Sequence, residues 1–266
     1  MTAEIAMFNV FNNFPMGKIV YVAPLKQICK QKYLDWNYRF LQINRRVALL
    51  SGDYASDIDQ MCYSDIIIMT PDVLDYLTSN WGKRKFLFEK IKLIIFDELH
   101  LIVEKKYGST IEVLISRINM LNQINNSQIR LLGLLTSMGN GTDVAEWFNV
   151  ATYNFFNFKP QVRPIPINLT VEGFSEKTYS GRMSLMNKPA YNAIKKFSYD
   201  KSVLVFVSSK KQCRMTALDL INIALRDAGG QVISPFLRCS EEEIQAAINA
   251  VTDEFLKESL IFGVGM

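Results

Sequence analysis

Short apolar runs that alternate with helical segments constrain most strongly what this chain can fold into. Residues 18–25, 64–70 and 91–98 (KIVYVAPL, SDIIIMT and IKLIIFDE) are too short for core helices and are rich in β-branched residues. Helix-like spacing of apolar residues follows the first two runs, over residues 27–42 and 71–81. This alternation predicts βαβ units and a parallel sheet that is buried on both faces.

The same reasoning predicts the order of elements along the chain. Thr142 is expected to cap the helix that it begins, and Pro71 to lie in the first turn of its helix. We predict strands over residues 18–25, 46–50, 64–70, 91–98, 129–137 and 201–209, and helices over residues 2–13, 27–42, 71–81, 109–123, 142–150, 188–197 and 210–228, with one or two more from residue 241.

The predicted elements divide the chain into three parts. Residues 1–150 carry the first α/β pattern, and residues 188–266 carry the beginning of a second one. Between them, residues 151–187 contain three prolines in a stretch of alternating β-prone residues, which predicts an extended connector with an irregular strand or hairpin.

The composition excludes several classes of protein. The chain has 266 residues and a net charge of +4, which permits an anionic partner without requiring one. No apolar run reaches the roughly 18 residues of a membrane helix, and the N-terminus lacks the features of a signal peptide. The four cysteines are scattered, so we expect buried thiols of an intracellular, reducing compartment; they are Cys29, Cys62, Cys213 and Cys239.

Polar residues follow the strand over residues 91–98, at the edge where ligands of open parallel sheets collect. Asp97 and Glu98 stand side by side there, and His100 is the one histidine of the chain. Adjacent carboxylates suit a phosphate-bound Mg²⁺ and the orientation of an attacking water. An Asp-Glu pair is also common at solvated strand ends, and a lone histidine is often structural, so the residues alone leave both interpretations open.

The order of five short motifs is more specific than any one of them. Ala-Pro-Leu-Lys, Leu-Ser-Gly-Asp, Thr-Pro-Asp, Asp-Glu-Leu-His and Gly-Leu-Leu-Thr-Ser, in that order, resemble the first half of a superfamily-two DExH helicase motor of the Ski-like branch. Phrases after residue 155 resemble the tandem-cassette RNA helicases, a branch that includes a spliceosomal helicase and a cointegrator-complex helicase, and resemble the second cassette in particular. They lie at residues 156–174, 182–194 and 203–221.

This resemblance implies a RecA-like motor domain followed by a partial second RecA-like domain, with ATP and Mg²⁺ as cofactors. Asp97 would hold Mg²⁺ through water, and Glu98 would position the hydrolytic water. His100 would couple the nucleotide site to the strand end at Thr136 and Ser137.

The resemblance also implies contact with the backbone of single-stranded RNA, which requires positive groups and amide dipoles instead of base readout. The residues implied on the first domain are Pro24, Lys26, Gly52, Thr70 and Pro71. On the second domain they are the strand end from Phe206 to Ser209, including Ser208, with positive charge from Lys210, Lys211 and Arg214.

Three departures from the family pattern limit these expectations. The sequence contains no GxxxxGK[ST] phosphate loop, and Gly17-Lys18 lacks both the upstream glycine and the following hydroxyl. Leu135-Thr136-Ser137 replaces the usual Ser-Ala-Thr, and the later motifs of a second motor domain are missing. We therefore expect a truncated motor piece that by itself has no appreciable RNA-stimulated ATPase activity.

Two functional hypotheses follow. The first is a fragment of an ATP-dependent DExH RNA helicase that unwinds RNA or RNP, acts in the nucleus or cytoplasm, and has other subunits of a spliceosomal or cointegrator-type complex as partners, with no membrane. The second is a catalytically silent helicase-like module that serves as a protein-binding platform. An unrelated nucleotide-binding α/β domain would require the motif order to be a coincidence.

Overall fold

A five-stranded parallel sheet forms the centre of the N-terminal part of the chain. The computed structural model describes residues 1–125, 128–136, 138–198, 201–229 and 235–266. The strand order is β2-β3-β1-β4-β5, and every pair is parallel. The strands are β1 (Lys18–Val22), β2 (Val47–Leu49), β3 (Ile66–Met69), β4 (Ile91–Phe96) and β5 (Arg130–Gly133). The predicted parallel sheet is therefore confirmed.

Seven α-helices accompany the sheet among the residues that the structure describes in this part of the chain. α3 was not predicted, although Met61 and Cys62 follow Ile58 by three and four residues, as on one face of a helix. Thr142 is not the cap of α7, since the helix begins one residue earlier and Asn140 takes the N-cap position. The helices are α1 (Thr2–Asn13), α2 (Lys26–Leu41), α3 (Tyr54–Tyr63), α4 (Pro71–Ser79), α5 (Lys85–Phe88), α6 (Gly108–Asn125) and α7 (Gly141–Trp147).

The sheet has an apolar core on each face, as expected when successive side chains of a strand point to opposite sides. Ile19 and Tyr21 of β1 pack with residues of α1 and α2. Val20 and Val22 belong to the opposite core, which includes residues of α4 and α6. All four side chains are at most 1% exposed. Burial on both faces explains why these strands are apolar without alternation.

The chain forms two compact units, Met1–Pro166 and Ile167–Met266. The second contains α8 (Tyr179–Phe197), α9 (Lys210–Asp227), α10 (Glu241–Ala250) and α11 (Glu254–Ile261). α8 and α9 are joined by a hydrogen bond from Asn187 to Asp219 (2.6 Å) and by an ion pair between Lys195 and Asp227 (2.6 Å).

The strand predicted over residues 201–209 is not formed. In the described part of Ile167–Met266 no segment is a strand, and Leu204 and Phe206 are 77% and 88% exposed. High β-propensity produces a strand only where a neighbouring strand supplies hydrogen-bond partners. The predicted connector is extended and mostly exposed only up to residue 178, and it contains two short 3-10 turns, Thr152–Asn154 and Pro160–Val162, in place of a strand or hairpin. Residues 179–187 belong to α8, which begins nine residues before the predicted start at residue 188.

Two further expectations concern cysteine burial and membrane helices. Cys29 is buried as predicted, whereas Cys62 and Cys239 are exposed, so the prediction of burial is wrong for those two. Among the helices that the structure describes, none is both long and apolar enough to cross a membrane.

Candidate functional site

The parallel ladders continue past the carboxyl ends of the strands and hold the sequence motifs side by side. Four main-chain hydrogen bonds do this, each between the residue after one strand and a residue of its neighbour. They run from Leu50 N to Ile68 O (2.9 Å), Ala23 N to Met69 O (3.2 Å), Asp97 N to Val22 O (2.9 Å) and Leu134 N to Phe96 O (2.8 Å). The motifs that follow these residues therefore share one edge of the sheet.

The strand order divides this edge into two halves. Residues 51–53, Thr70 and Pro24 follow β2, β3 and β1, so the candidate RNA contacts are on one half. Residues 97–100 and 134–136 follow β4 and β5 on the other half, where the candidate nucleotide residues are. The boundary between the halves lies between the neighbouring strands β1 and β4, which are hydrogen-bonded to each other.

The Asp97 carboxylate is held by two internal donors. The Tyr21 hydroxyl donates to Oδ2, and the Glu98 amide donates to Oδ1 at 2.9 Å. Burial, together with the hydrogen bond and charge of Asp97, raises the pKa of Tyr21, so its hydroxyl stays protonated as a donor. Sequence analysis did not identify Tyr21, because a tyrosine in an apolar strand is indistinguishable from an ordinary core residue.

Glu98 adopts a left-handed backbone conformation, with φ 52° and ψ 38°. A non-glycine residue there costs about 1 kcal/mol or more, and such residues are concentrated at functional sites. The turn brings Glu98 Oε2 to 3.4 Å from His100 Nε2. Among the described residues none pairs with the buried Nδ1 of His100. The structure thus brings the Asp97, Glu98 and His100 side chains together at one sharp turn.

The donor set at Asp97 fits Mg²⁺ of the kind that keeps most of its waters. Asp97 and Glu98 are both partly exposed at the strand end, so a hydrated ion can approach the carboxylates. No group of three histidine, cysteine or acidic side chains that could enclose a metal occurs in the described parts of the chain. Mg²⁺ bound by one or two carboxylates together with substrate phosphates does not need such a cage.

The end of β5 is linked to this turn through Leu99. The Leu99 amide donates to the Leu134 carbonyl at 3.0 Å, and a Cβ on Gly133 would lie 2.9 Å from Leu99 Cδ2. Thr136 is exposed near this end, whereas Ser137 lies outside the described residues. Leu99, which lies between Glu98 and His100, therefore makes the main-chain contact between the turn over residues 97–100 and the end of β5.

The predicted RNA contacts of the first unit differ in what they offer to a ligand. Pro24, Thr70 and Pro71 are buried, and Thr70 and Pro71 are the N-cap and first residues of α4. Lys26 is exposed and begins α2, separated from the end of β1 by three residues. Lys26 is thus the group among these four that offers a positive charge to a phosphate.

Gly52 has φ 96°, so the turn over residues 51–53 requires a glycine there. The Asp57 carboxylate accepts hydrogen bonds from the amides of Ser51 (3.0 Å) and Gly52 (2.8 Å). Sequence analysis missed Asp57, since an acidic residue in a mostly polar segment gives no signal of burial.

Ser208 lies in the second unit, and its hydroxyl forms a hydrogen bond with that of Tyr179. It does not end a strand, so the predicted strand-end placement of residues 206–209 is wrong for the reason given above. Lys210 and Lys211 are exposed at the start of α9. Arg214 pairs with Asp253 at 2.9 Å, which offsets its charge.

A cavity of about 750 Å³ lies beside β5 in the first unit. Leu99, Leu134 and Thr136 are among its lining residues, but Asp97, Glu98 and His100 are not. The acidic residues therefore face a different part of the surface.

The model of the DEAD/DEAH box helicase family matches residues 1–137, which include the sheet and the acidic turn. The chain belongs to this family. The match covers the five strands and the turn that carries Asp97 and Glu98.

Curated helicases are similar over the full length of this chain. Activating signal cointegrator 1 complex subunit 3 of Gallus gallus is 38% identical over 268 residues, and DExH-box ATP-dependent RNA helicase DExH14 of Arabidopsis thaliana is 39% identical over 267. RQC trigger complex helicase SLH1 of Saccharomyces cerevisiae is 37% identical over 271 residues. Each alignment covers 100% of this helicase chain but only 12% to 13% of the relative. The resemblance to DExH helicases is confirmed.

Solved helicase structures share the fold. The DUF1998 helicase MrfA bound to DNA gives a TM-score of 0.56 at 16% identity, covering 96% of this helicase chain and 34% of MrfA. MrfA bound to DNA and AMPPNP gives a TM-score of 0.53 at 15% identity, covering 96% and 36%. The α/β architecture with a RecA-like parallel sheet is therefore shared with a DNA-bound helicase.

Proposed function

We propose that this chain is a segment of an ATP-dependent DExH RNA helicase that couples ATP hydrolysis to the unwinding of RNA or RNP. The observation that carries the proposal is the division of one sheet edge into two halves. Residues 97–100 lie on one half, and Lys26 and the turn at 51–53 lie on the other. The nucleotide and the RNA would then bind at the ends of adjacent strands of one sheet.

The nucleotide half is assigned to Mg²⁺ and ATP. Bound Mg²⁺ would supply charge neutralisation at the phosphates. In this chain Asp97 would hold the ion through water, with its carboxylate already oriented by Tyr21 and the Glu98 amide. Glu98 would orient the attacking water, and His100, 3.4 Å away, would hold the Glu98 carboxylate in place. Thr136 and Ser137 are proposed to couple this half to RNA through β5.

The nucleic-acid half is assigned to the RNA backbone. Lys26 would supply a positive charge, while Pro24, Thr70, Pro71 and Gly52 would shape the surface beside it. Contacts of this kind do not depend on base identity. Ser208 is proposed as a contact from a second RecA-like domain, within the division 1–150, 151–187 and 188–266.

A second candidate function is a catalytically silent helicase-like module that binds other subunits of a spliceosomal or cointegrator-type complex. Leu135-Thr136-Ser137 favours it, because a leucine replaces the first hydroxyl of the usual Ser-Ala-Thr.

Fluorescence anisotropy with a labelled oligouridylate tests the RNA assignment. We expect the chain to bind the oligonucleotide, and Lys26→Ala to weaken binding about three- to tenfold and to lower the salt-dependence slope by about one charge. The matched control is Lys30→Ala, which removes the same charge from an exposed position one turn further along α2.

Equal losses for both variants would show that only net charge acts, and would contradict the assignment of Lys26. No binding by the unsubstituted chain would favour the protein-binding module.

A further inference from the structure

The turn over residues 51–53 is anchored from inside the protein by a buried carboxylate. Asp57, on α3, is 0% exposed. Its Oδ1 accepts from the Ser51 amide at 3.0 Å and lies 3.5 Å from the Ser51 hydroxyl. Its Oδ2 accepts from the Gly52 amide at 2.8 Å. Two successive amides that converge on one anion form the concave arrangement that elsewhere binds phosphate.

Because this anion is internal, the turn cannot bind a phosphate through the same amides. The Gly52 N–H is already donated to Asp57, so its contact with RNA must come from the exposed side of the turn. The Asp57 amide in turn donates to the Asp53 carbonyl at 2.9 Å, so Asp57 is hydrogen-bonded to the turn through both its side chain and its main chain.

Among the described residues, no ion pair offsets the burial of this carboxylate. None of the lysine and arginine side chains that the structure describes forms an ion pair with Asp57. A buried, unpaired charge is costly, and here hydrogen bonds from the turn satisfy it. The hydrogen bonds from the Ser51 and Gly52 amides to Asp57 thus hold Gly52 in its left-handed conformation.

We propose that Asp57 is a positioning residue for single-stranded RNA, which it does not touch. It holds the turn over residues 51–53 in the shape that meets the RNA backbone. This inference rests on the proposed RNA-binding function of the same edge. According to this inference, the buried Asp57 determines the backbone conformation of the turn over residues 51–53.

The effect of Asp57→Asn on RNA affinity has opposite directions if Asp57 acts through its charge and if it acts by positioning the turn, so one substitution distinguishes the two. Removing a negative charge near a polyanion strengthens binding by Coulomb's law. If Asp57 positions the turn, Asp57→Asn weakens binding instead, because the side-chain amide group cannot accept from a second backbone N–H. We expect about a tenfold loss of oligouridylate affinity, measured by anisotropy. The matched control is Asp59→Asn, which removes the same charge from an exposed position on α3.

A second variant tests the same turn while leaving the carboxylate in place. Gly52→Ala strains the left-handed φ, whereas the added Cβ meets Val73 only at 3.9 Å, so the perturbation is local. We expect a similar loss of affinity and a less than additive effect when it is combined with Asp57→Asn. The salt slope should stay unchanged in both variants, because neither removes a cation. If Asp57→Asn does not fold, Gly52→Ala alone decides.

The outcomes separate the two proposals. Absence of RNA binding by the unsubstituted chain overturns the proposed function and this inference together. RNA binding that is unchanged or tighter in Asp57→Asn, or unchanged in Gly52→Ala, overturns the positioning role alone. A loss in both variants, with Asp59→Asn unchanged or slightly tighter, supports it.

Discussion

At the scale of single residues, the contact between Tyr21 and Asp97 joins a core residue to the candidate Mg²⁺ ligand. Tyr21 is 0% exposed, and its ring lies edge-on against Trp36, with centroids 4.9 Å apart. Its hydroxyl therefore has no direct access to water and depends on Asp97 as its acceptor. A buried donor without a partner costs about 1–3 kcal/mol. The effects of substituting Tyr21 and Asp97 on the free energy of unfolding should therefore not be additive.

We expect Asp97→Ala to lower the free energy of unfolding by about 1–3 kcal/mol, because it leaves the Tyr21 hydroxyl unsatisfied. In the Tyr21→Phe background the same substitution should cost about 1 kcal/mol less. Urea unfolding of the two single variants and the double variant measures this coupling. Tyr38→Phe, at a side chain that is 73% exposed, is the control. Additive effects would contradict a structural role for the hydrogen bond.

At the scale of elements, a half-buried acidic residue, Glu4, joins α1 to α2. Glu4 accepts hydrogen bonds from Trp36 Nε1 (3.0 Å) and from both terminal nitrogens of Arg39 (2.9 Å each). The Arg39 hydrogen bond, with a smaller contribution from Trp36, lowers the pKa of Glu4 from its ordinary value of 4.5, although burial opposes the shift. The lowered pKa means that folding favours the ionised form.

The sign of the pH dependence follows from this shift. The stabilisation is fully present above pH 4.5 and is lost as pH falls through the lower pKa of the folded state. We expect Glu4→Gln to lower the free energy of unfolding by about 1 kcal/mol at pH 7, and this difference to shrink progressively in acid. Urea unfolding across a pH series measures it. Asp35→Asn, which removes a more exposed partner of Arg39, should change stability by less than about 0.5 kcal/mol. A difference that persists undiminished in acid would be inconsistent with this account.

The elements also show what periodicity can and cannot predict. Strands β1, β3 and β4 were predictable because they are buried on both faces and are therefore almost entirely apolar, whereas β5 is only partly buried. The segment over residues 201–209 has the same composition and is not a strand, since a strand also requires a neighbour that composition does not reveal. α3 is the opposite case: Ile58, Met61 and Cys62 do recur at helical spacing, but they stand in a short, mostly polar segment, and the prediction missed the helix.

At the scale of the whole molecule, the candidate site was predictable as far as each motif ends a strand. Asp97, Glu98 and Lys26 could be assigned from their positions after apolar runs. Tyr21 and Asp57 could not, because their roles depend on partners that are 76 and 6 residues away and on burial that only the fold creates. Sequence patterns thus identified the candidate ligand-binding groups, whereas the side chains that hold those groups required the structure.

The segment that follows the first sheet should be the first part of the chain to be cleaved by a protease. Residues 164–177 form no main-chain to main-chain hydrogen bond in the structure, and nearly all of them are exposed. Proteases bind extended backbone, so such a segment is cleaved without prior unfolding. We expect chymotrypsin to cut first after Leu169, which is 84% exposed. Mass spectrometry of early time points identifies the products.

The chain supplies its own controls for this experiment. Tyr38 and Leu34 are 73% and 62% exposed but lie within α2, so cleavage there requires the helix to unwind and should be slower. Trypsin should spare Lys159 and Arg163, because each precedes a proline, and should cut later, after Lys177. The N-terminal chymotryptic fragment retains all five strands, so we expect it to keep a cooperative unfolding transition. Early cleavage within α2, or loss of cooperativity once the segment is cut, would contradict an independently folded first unit.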